Sequence, residues 1–397
     1  MCKPLKLRDN IYYVGVNDRS TPLFESLWPL PNGVSYNAYL ICDEKTVLID
    51  TVDLAFSDLF FKKIKNQIND KPIDYLIVNH MEPDHSGSIE ILRSKYPDIQ
   101  IVGNKRTADM LKGFYNITEN VLVIEDKAEL NIGNETLQFY LAPMVHWPET
   151  MMTYLKEAKA IFSADAFGTF GALDGGVIDS QLNPDRYWDE MIRYYANIVG
   201  KFGSSVQTAL KKLSDLQIDM ICSTHGPVWT SQENIEKVLS LYDKLSKYET
   251  DRGLVIAYGS LYGNTGQVAD VVAAAAAEHG IKNIVVHNTS KSNISDILRD
   301  VFKYQGLIIG SATYNAKLYP PVESLLSAID NRSIKNRKFG FFSAHTWADG
   351  AKRELKAFAE NSKFDLVGEP VELKQSPDDD VVEKAYLLGK AMAESLD

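Results

Sequence analysis

The sequence predicts an α/β protein of two domains, the second of them built on a doubly wound parallel sheet. Three observations support this prediction. The chain has 397 residues, which is long for one ordinary domain. Short apolar runs alternate with amphipathic segments along most of it. Near residues 248–253 the apolar pattern lapses and then becomes a regular alternation of strand and helix. We therefore expect the domains to span residues 1–249 and 250–397.

The first domain is predicted to begin as β-sheet and to continue with mixed helices and strands. Phe60, Ile64 and Ile68 recur at helical spacing, and Gly133-Asn134 is typical of a hairpin turn. The predicted strands lie at 36–41, 46–50, 75–78, 101–102, 121–124, 137–141, 151–155, 160–163 and 219–222. The predicted helices lie near 57–68, 88–95, 107–115, 184–198 and 232–247.

The second domain shows strict alternation, which predicts a parallel sheet of about five strands with helices on both faces. The predicted strands are 254–258, 284–287, 306–310 and 339–343. The predicted helices are 265–278, 294–304, 322–329, 350–360 and 380–396.

Composition excludes several classes of partner and site. The formal net charge of −11 argues against nucleic acid and anionic membranes as partners. The sequence has neither a signal-peptide pattern at its start nor an apolar run that approaches the ~20 residues of a membrane span. A cytoplasmic location is therefore expected. Cys2, Cys42 and Cys222 form neither a disulfide framework nor a CxxC metal knuckle, so a metal would be held by nitrogen and oxygen.

The most informative segment is His80-Met81-Glu82-Pro83-Asp84-His85, which follows the buried strand predicted at 75–78. Four potential metal ligands occur within it, on the loop that leaves the carboxyl end of a strand, where α/β folds place their sites. Burying these groups without partners would cost several kcal/mol, and a divalent cation removes that cost.

Three further candidate ligands, His146, Asp165 and His225, also follow apolar runs. All histidines before residue 249 belong to this set. Four imidazoles and three carboxylates are too many for one tetrahedral ion, so two metals are implied, with one carboxylate as the bridge. The oxygen-rich set without thiolate favours iron or manganese over zinc.

This pattern resembles the metallo-β-lactamase superfamily, whose zinc hydrolases usually have a histidine where Glu82 stands. Together with Trp147-Pro148-Glu149-Thr150 and Asp165-Ala166-Phe167-Gly168, it is similar to the flavodiiron proteins. The resemblance implies an αββα sandwich with a non-haem diiron centre. It assigns His80, Glu82 and His146 to one iron, Asp84, His85 and His225 to the other, and Asp165 to the bridge. It implies no catalytic residue beyond these ligands, and Tyr194 or Tyr195 as pocket lining. Some family members have a further histidine from the amino-terminal segment, which residues 21–25 lack.

Three loops of the second domain are predicted to meet at the carboxyl edge of its sheet, where ligands bind. The first offers small and hydroxyl residues to a phosphate at a helix start, and Tyr314 and Trp347 offer flat faces to an aromatic ring. This half resembles a flavodoxin, which implies bound FMN. The candidate residues are Ser260, Leu261, Tyr262, Gly263, Asn264 and Thr265, then Ser311, Ala312, Thr313, Tyr314 and Asn315, then Ser343, His345, Trp347 and Gly350.

Two redox centres imply an electron path, and O₂ reduction to water needs the four electrons that a reduced flavin and a diferrous pair hold together. We expect an FMN- and diiron-dependent reductase of O₂ to water, of nitric oxide to nitrous oxide, or of both. The resemblance implies a head-to-tail homodimer or dimer of dimers, and a detoxifying role. Because paired CxxC motifs of a rubredoxin are lacking, we expect an external donor: rubredoxin, a deazaflavin cofactor or another reduced carrier. The alternatives are a zinc hydrolase of the metallo-β-lactamase type and an electron-transfer flavoprotein with a structural metal site.

Overall fold

The computed structural model describes residues 3–69 and 71–396, so Cys2 lies outside the described residues. The chain divides into two compact units, Met1–Ser246 and Lys247–Asp397. The domain boundary expected after residue 249 stays a prediction.

The first unit contains sixteen strands and seven α-helices among its described residues. The strands are β1 Leu5–Lys6, β2 Ile11–Tyr13, β3 Val16–Asp18, β4 Leu23–Phe24, β5 Trp28–Pro29, β6 Val34–Tyr36, β7 Tyr39–Cys42, β8 Thr46–Ile49, β9 Tyr75–Ile77, β10 Gln100–Gly103, β11 Val121–Val123, β12 Glu129–Asn131, β13 Thr136–Leu141, β14 Met151–Leu155, β15 Ala160–Phe162 and β16 Met220–Cys222. The helices are α1 Ser57–Ile68, α2 Pro83–Ser86, α3 Ile89–Lys95, α4 Lys105–Tyr115, α5 Asp185–Tyr194, α6 Gly203–Leu213 and α7 Gln232–Ser246.

Two sheets form the centre of this unit. The seven-stranded sheet has the order β1-β2-β7-β8-β9-β10-β11, and the five-stranded sheet has the order β12-β13-β14-β15-β16. Tyr39 of β7 packs against Phe162 of β15 with ring centroids 5.2 Å apart, and Thr153 of β14 donates a hydrogen bond to Asn79 after β9. Helix α4 packs on β10 and β11, and α6 packs on β13. Helices therefore cover both sheets, as the αββα prediction requires.

The second unit is a parallel sheet covered by helices. Its elements are β17 Asp251–Gly259, α8 Asn264–Glu278, β18 Ile284–Asn288, α9 Ile294–Lys303, β19 Tyr304–Tyr314, β20 Lys317–Leu318, α10 Pro320–Asn331, β21 Lys338–His345, α11 Gly350–Ser362, β22 Asp365–Leu366, β23 Val371–Lys374 and α12 Asp379–Ser395. The order β18-β17-β19-β21-β22 is parallel throughout, with β23 also beside β21. The predicted five-stranded doubly wound sheet is confirmed, and its fifth position is shared by β22 and β23.

The structure contains several elements that were not predicted. Helices α2 and α6 were not predicted, nor were the short strands β1 to β5, β20, β22 and β23. Strands of two to four residues leave almost no periodic signal. The helix predicted from residue 184 to 198 is α-helical as far as Tyr194 and continues as a π-helical turn over Tyr195–Val199.

Among the described residues, none of the helices combines the length and the apolar character needed to cross a membrane.

Candidate functional site

The segment after β9 brings its polar residues to the centre of the first unit. The chain leaves β9 at Ile77, passes His80 and Glu82, and starts the one-turn helix α2 at Pro83. Asp84 and His85 therefore lie on a helical turn and not on the loop that was predicted. Proline suits this first helical position because it needs no N–H partner there.

Four of the predicted ligands form a first group: His80, Glu82, His146 and Asp165. The Nε2 atom of His146 lies 3.1 Å from Oε2 of Glu82 and 3.0 Å from Oδ2 of Asp165. The Nε2 atom of His80 lies 3.3 Å and 3.4 Å from the same two oxygens. Two imidazole nitrogens and two carboxylate oxygens therefore converge on one point, which is the geometry of a metal site.

The other three predicted ligands, Asp84, His85 and His225, form a second group. The Nε2 atoms of His85 and His225 are 3.0 Å apart and lie 3.2 Å and 3.4 Å from Oδ2 of Asp84. Oδ1 of Asp165 lies 3.2 Å and 3.5 Å from the same two nitrogens. Asp165 thus presents one oxygen to each group, as a bridging carboxylate does.

A buried carboxylate and a backbone carbonyl orient the rings of His80 and His225. The carboxylate of Glu149, itself fully buried, lies 2.8 Å from Nδ1 of His80 and accepts the backbone N–H of Met81. The carbonyl of Ser35 lies 2.8 Å from Nδ1 of His225. In both rings Nδ1–H is held by an oxygen, which leaves Nε2 free to bind a metal.

The buried carboxylates of the site require nearby positive charge. Burial alone would lower the pKa of His85, but Asp84 and Asp165 outweigh it and raise that pKa to about 10. In the same way burial lowers the pKa of His146, and Asp165 and Glu82 together raise it to about 9. Without metal, the imidazoles must therefore keep protons to balance the buried carboxylates. Two divalent ions replace those protons, so the donor set fits a dinuclear centre.

One acidic residue near the site was missed by the sequence reasoning. Glu25 lies in the turn between β4 and β5, where Trp28 Nε1 donates a hydrogen bond to its Oε2 over 3.0 Å. Burial raises its pKa to about 7, and the nearby Glu82 carboxylate adds to this shift. Glu25 belongs to residues 21–25, the segment from which some family members have a further histidine, but only the fold shows that this turn lies near Glu82.

Aromatic rings surround the second group of ligands. The ring of His225 has Phe24, Tyr36 and Tyr194 at centroid distances of 5.2 Å, 5.9 Å and 5.4 Å. Tyr194 is fully buried, and its hydroxyl has no hydrogen-bond partner among the described residues. Tyr195 packs instead against Tyr242, at 5.1 Å. Of the two tyrosines predicted as lining, Tyr194 is therefore the one beside a ligand.

The second unit has a cavity of about 520 Å³ at the carboxyl edge of its sheet. Of the predicted residues, Ser260, Leu261, Tyr262, Asn264, Thr265, Ala312, Thr313, Tyr314, Asn315, His345 and Trp347 line it. The lining also contains six residues that were not predicted: Ala316, Ala344, Thr346, Ala348, Gln375 and Ser376. The last two follow β23, a strand that the sequence analysis did not locate.

Four predicted residues, Gly263, Ser311, Ser343 and Gly350, do not line the cavity and instead support its loops. Ser343 donates a hydrogen bond of 2.6 Å to Asp349, and Ser311 accepts one from the backbone of Tyr319. A side chain at Gly350 would collide with the carbonyl of Ala316, since a Cβ atom there would lie 2.1 Å from it.

The cavity suits a phosphate at one end and a flat ring elsewhere. Helix α8 begins after Gly263, whose φ is +103°, and within the described chain no side chain caps its first N–H groups. Such an uncapped helix start binds anions. Tyr262 and Trp347 are 96% and 91% exposed, which leaves two aromatic faces open to a ring system.

Comparison with known families matches both units separately. Residues 34–226 match the ODP family beta lactamase model, and residues 256–389 match the flavodoxin model. Anaerobic nitric oxide reductase flavorubredoxin from Escherichia coli O1:K1 is 32% identical over 394 residues, which cover 98% of this chain and 81% of that protein.

Solved structures agree over the whole chain. The rubredoxin oxygen:oxidoreductase of the anaerobe Desulfovibrio gigas has a TM-score of 0.95 at 26% identity, covering 99% of this chain and 98% of that one. The flavodiiron protein of Giardia intestinalis has a TM-score of 0.93 at 26% identity, covering 99% and 96%. The resemblance predicted from the residues is confirmed. The chain belongs to the flavodiiron protein family, oxidoreductases that join a β-lactamase-like diiron domain to an FMN-binding flavodoxin domain.

Proposed function

We propose that the chain reduces O₂ to water, nitric oxide to nitrous oxide, or both, with two irons and FMN as cofactors and with electrons from a separate carrier. The observation that carries this proposal is the pair of ligand groups joined by the two oxygens of Asp165. When bound, the irons supply a reducible pair of metal ions that takes a diatomic ligand, and FMN supplies two further electrons. Together the two irons and FMN hold the four electrons that reduction of O₂ to water needs.

The chain itself keeps both metal positions in place. His80, Glu82 and His146 would hold one iron, and Asp84, His85 and His225 the other, with Asp165 between them. Asp165 is further held by Thr224, whose hydroxyl lies 2.5 Å from Oδ1. Because the carboxylate of Asp165 is buried and hydrogen-bonded, it is held in one position.

The surroundings of the metal positions favour small neutral substrates. Phe24, Tyr36 and Tyr194 place aromatic rings around His225. Such a wall excludes bulk water and disfavours charged ligands, whereas O₂ and nitric oxide enter apolar spaces readily. The hydroxyl of Tyr194 is buried and has no hydrogen-bond partner in the described chain.

The names of the relatives point to both substrates and to one donor. The Escherichia coli relative is called an anaerobic nitric oxide reductase, and the Desulfovibrio gigas relative a rubredoxin oxygen:oxidoreductase. Reduced rubredoxin is accordingly our first choice of donor, with a reduced deazaflavin cofactor or another carrier as the alternative. A detoxifying role and a cytoplasmic location complete this proposal.

The assembly expected from the family resemblance is a head-to-tail homodimer or a dimer of dimers. Such an assembly would bring the FMN of one copy to the diiron site of another. Light scattering on the FMN- and iron-loaded protein, combined with size-exclusion chromatography, measures the number of chains. A monomer with full gas-reducing activity would contradict this part of the proposal.

The function is tested by anaerobic reduction of the purified protein with a rubredoxin system, followed by separate exposure to O₂ and to nitric oxide. We expect rapid gas consumption, two irons and one FMN per chain. Zinc in place of iron with no gas consumed after reconstitution would favour the hydrolase alternative. Iron without gas consumption, and full electron transfer in Asp165→Ala, would favour the electron-transfer flavoprotein.

A further inference from the structure

A third group of ligand-type side chains lies in the second unit, outside the diiron residues. It consists of His345 at the end of β21, Asp349 before α11 and Glu372 in β23. One ligand atom from each lies within 4.8 Å of the others. The Nδ1 atom of His345 is 3.4 Å from Oδ2 of Asp349, and its Nε2 atom is 3.8 Å from Oε1 of Glu372.

Regular structure holds all three positions. Strands β21 and β23 pair in parallel, with Ser343 opposite Glu372. Asp349 is the N-cap of α11, where its Oδ1 accepts the backbone N–H of Lys352. Sites built on strands and helix termini keep their geometry better than sites on free loops. The three side chains therefore form a preorganised set.

Glu372 and Asp349 each turn one carboxylate oxygen toward the imidazole of His345. Lys352 Nζ lies 2.7 Å from Oε2 of Glu372, so Oε1 is the oxygen that faces His345. Oδ2 of Asp349 accepts the Ser343 hydroxyl and also faces His345. Hydrogen bonds of this kind behind a carboxylate are typical of metal ligands.

The imidazole of His345 supplies an independent sign of a ligand. Its side chain is 10% exposed, and Nδ1 has no hydrogen-bond partner in the part of the chain that the structure describes. A buried ring nitrogen without a partner costs free energy, so such atoms usually serve a function. Asp349 is equally buried, whereas Glu372 is 43% exposed and gives access from solvent.

We propose that His345, Asp349 and Glu372 bind one divalent transition-metal ion, separate from the diiron centre and beyond the function proposed above. One imidazole nitrogen and two carboxylate oxygens, with water in the remaining positions, are ligand types that divalent transition metals accept, zinc among them. The ion adds positive charge beside two carboxylates, of which Glu372 already pairs with Lys352. Because His345 also lines the cavity of the second unit, the ion lies at the border of the FMN site.

Zinc titration of the iron- and FMN-loaded protein, followed by isothermal calorimetry under argon, tests the proposal. We expect the wild type to bind one zinc per chain that His345→Gln does not bind. Glu372→Gln should weaken this binding at least about tenfold. Because the Glu372 side chain is partly exposed, this second variant keeps its fold even if His345→Gln does not.

Glu369→Gln is the matched control, since Glu369 is an exposed carboxylate just before β23 and lies outside the group. It should titrate like the wild type. Exchange of zinc into the diiron centre would be equal in all four proteins and is measured by iron release. Identical isotherms for wild type, His345→Gln and Glu372→Gln would overturn the proposal, as would a wild type with no saturable zinc binding beyond that exchange.

Discussion

The diiron pocket and the FMN cavity differ in their exposure to solvent. The candidate ligands of the first unit are almost entirely buried, and the Nε2 atom of each histidine lies within 3.5 Å of a carboxylate oxygen. The cavity of the second unit is open, and Tyr262 and Trp347 at its edge are almost fully exposed. The buried pocket of the first unit suits tightly bound metal ions, whereas the open cavity of the second unit suits a large cofactor that binds from solvent.

This contrast predicts where substitutions matter most. In the buried pocket every ligand contacts several others, so removal of one leaves unpaired charges behind. In the open cavity the binding free energy is spread over several loops, and each residue contributes a small part. Four substitutions test this difference between the two regions, from the largest expected effect to the smallest.

Asp165→Ala should abolish the metal centre, because Asp165 alone presents an oxygen to both ligand groups. We expect iron content and gas consumption to fall at least about a hundredfold, with FMN content unchanged. Iron analysis, flavin absorbance and an oxygen electrode measure the three quantities. Asp109→Ala, which changes an exposed carboxylate of α4, is the control and should leave all of them at the wild-type level. Normal iron content in Asp165→Ala would refute the bridging role.

Glu149→Gln should weaken iron binding by about tenfold to a hundredfold, since Glu149 holds Nδ1 of His80 without touching the metal position itself. Competition with a chelator measures the iron affinity. Glu125→Gln, an exposed acid in the same unit, is the matched control. If Glu149→Gln holds iron as tightly as this control, the orientation of His80 does not depend on the carboxylate.

Trp347→Ala should weaken FMN binding by only about twofold to tenfold, the value of one aromatic contact. Fluorescence titration of the flavin-free protein with FMN measures the dissociation constant. Trp188→Ala, in the first unit, is the control for loss of a tryptophan away from the cavity. Complete loss of FMN from Trp347→Ala would mean that the cavity depends on one residue, and the contrast between the two regions would fail.

Asp300→Asn should change the acid dependence of stability in the second unit. Burial raises the pKa of Asp300, but its hydrogen bonds with His287 and Arg299 outweigh burial and hold that pKa below its usual value. A lowered pKa in the folded state stabilises the protein at pH values above the unfolded value of about 3.9, and the stabilisation is lost as pH falls further.

Urea unfolding of the second unit at pH 6 and pH 3.5 measures this effect. The wild type should lose more free energy of unfolding between the two pH values than Asp300→Asn does. Asp270→Asn, at an exposed site of α8, should behave like the wild type. An equal loss in wild type and Asp300→Asn would show that the ion pair does not contribute to acid sensitivity.

Much of the site could be read from local sequence. Each predicted metal ligand follows an apolar strand, and in an α/β fold the carboxyl ends of strands carry the functional groups. That rule predicted the seven side chains that the structure brings together in two groups, and three of the loops around the FMN cavity. It missed Gln375 and Ser376, because β23 has four residues, too few for its alternation of buried and exposed side chains to stand out. It also missed Glu25, whose place near Glu82 depends on contacts between segments far apart in the chain.

The sequence by itself determined the fold class, and it predicted seven candidate ligands for two metals, because these inferences follow from residue types and from short-range periodicity. Only the tertiary structure decided which oxygen of Asp165 faces which group, that Glu149 and Ser35 hold the rings of His80 and His225, and that Glu372 meets His345 and Asp349. These are distances between side chains from separate segments. Packing sets such distances, and no local pattern in a sequence encodes them.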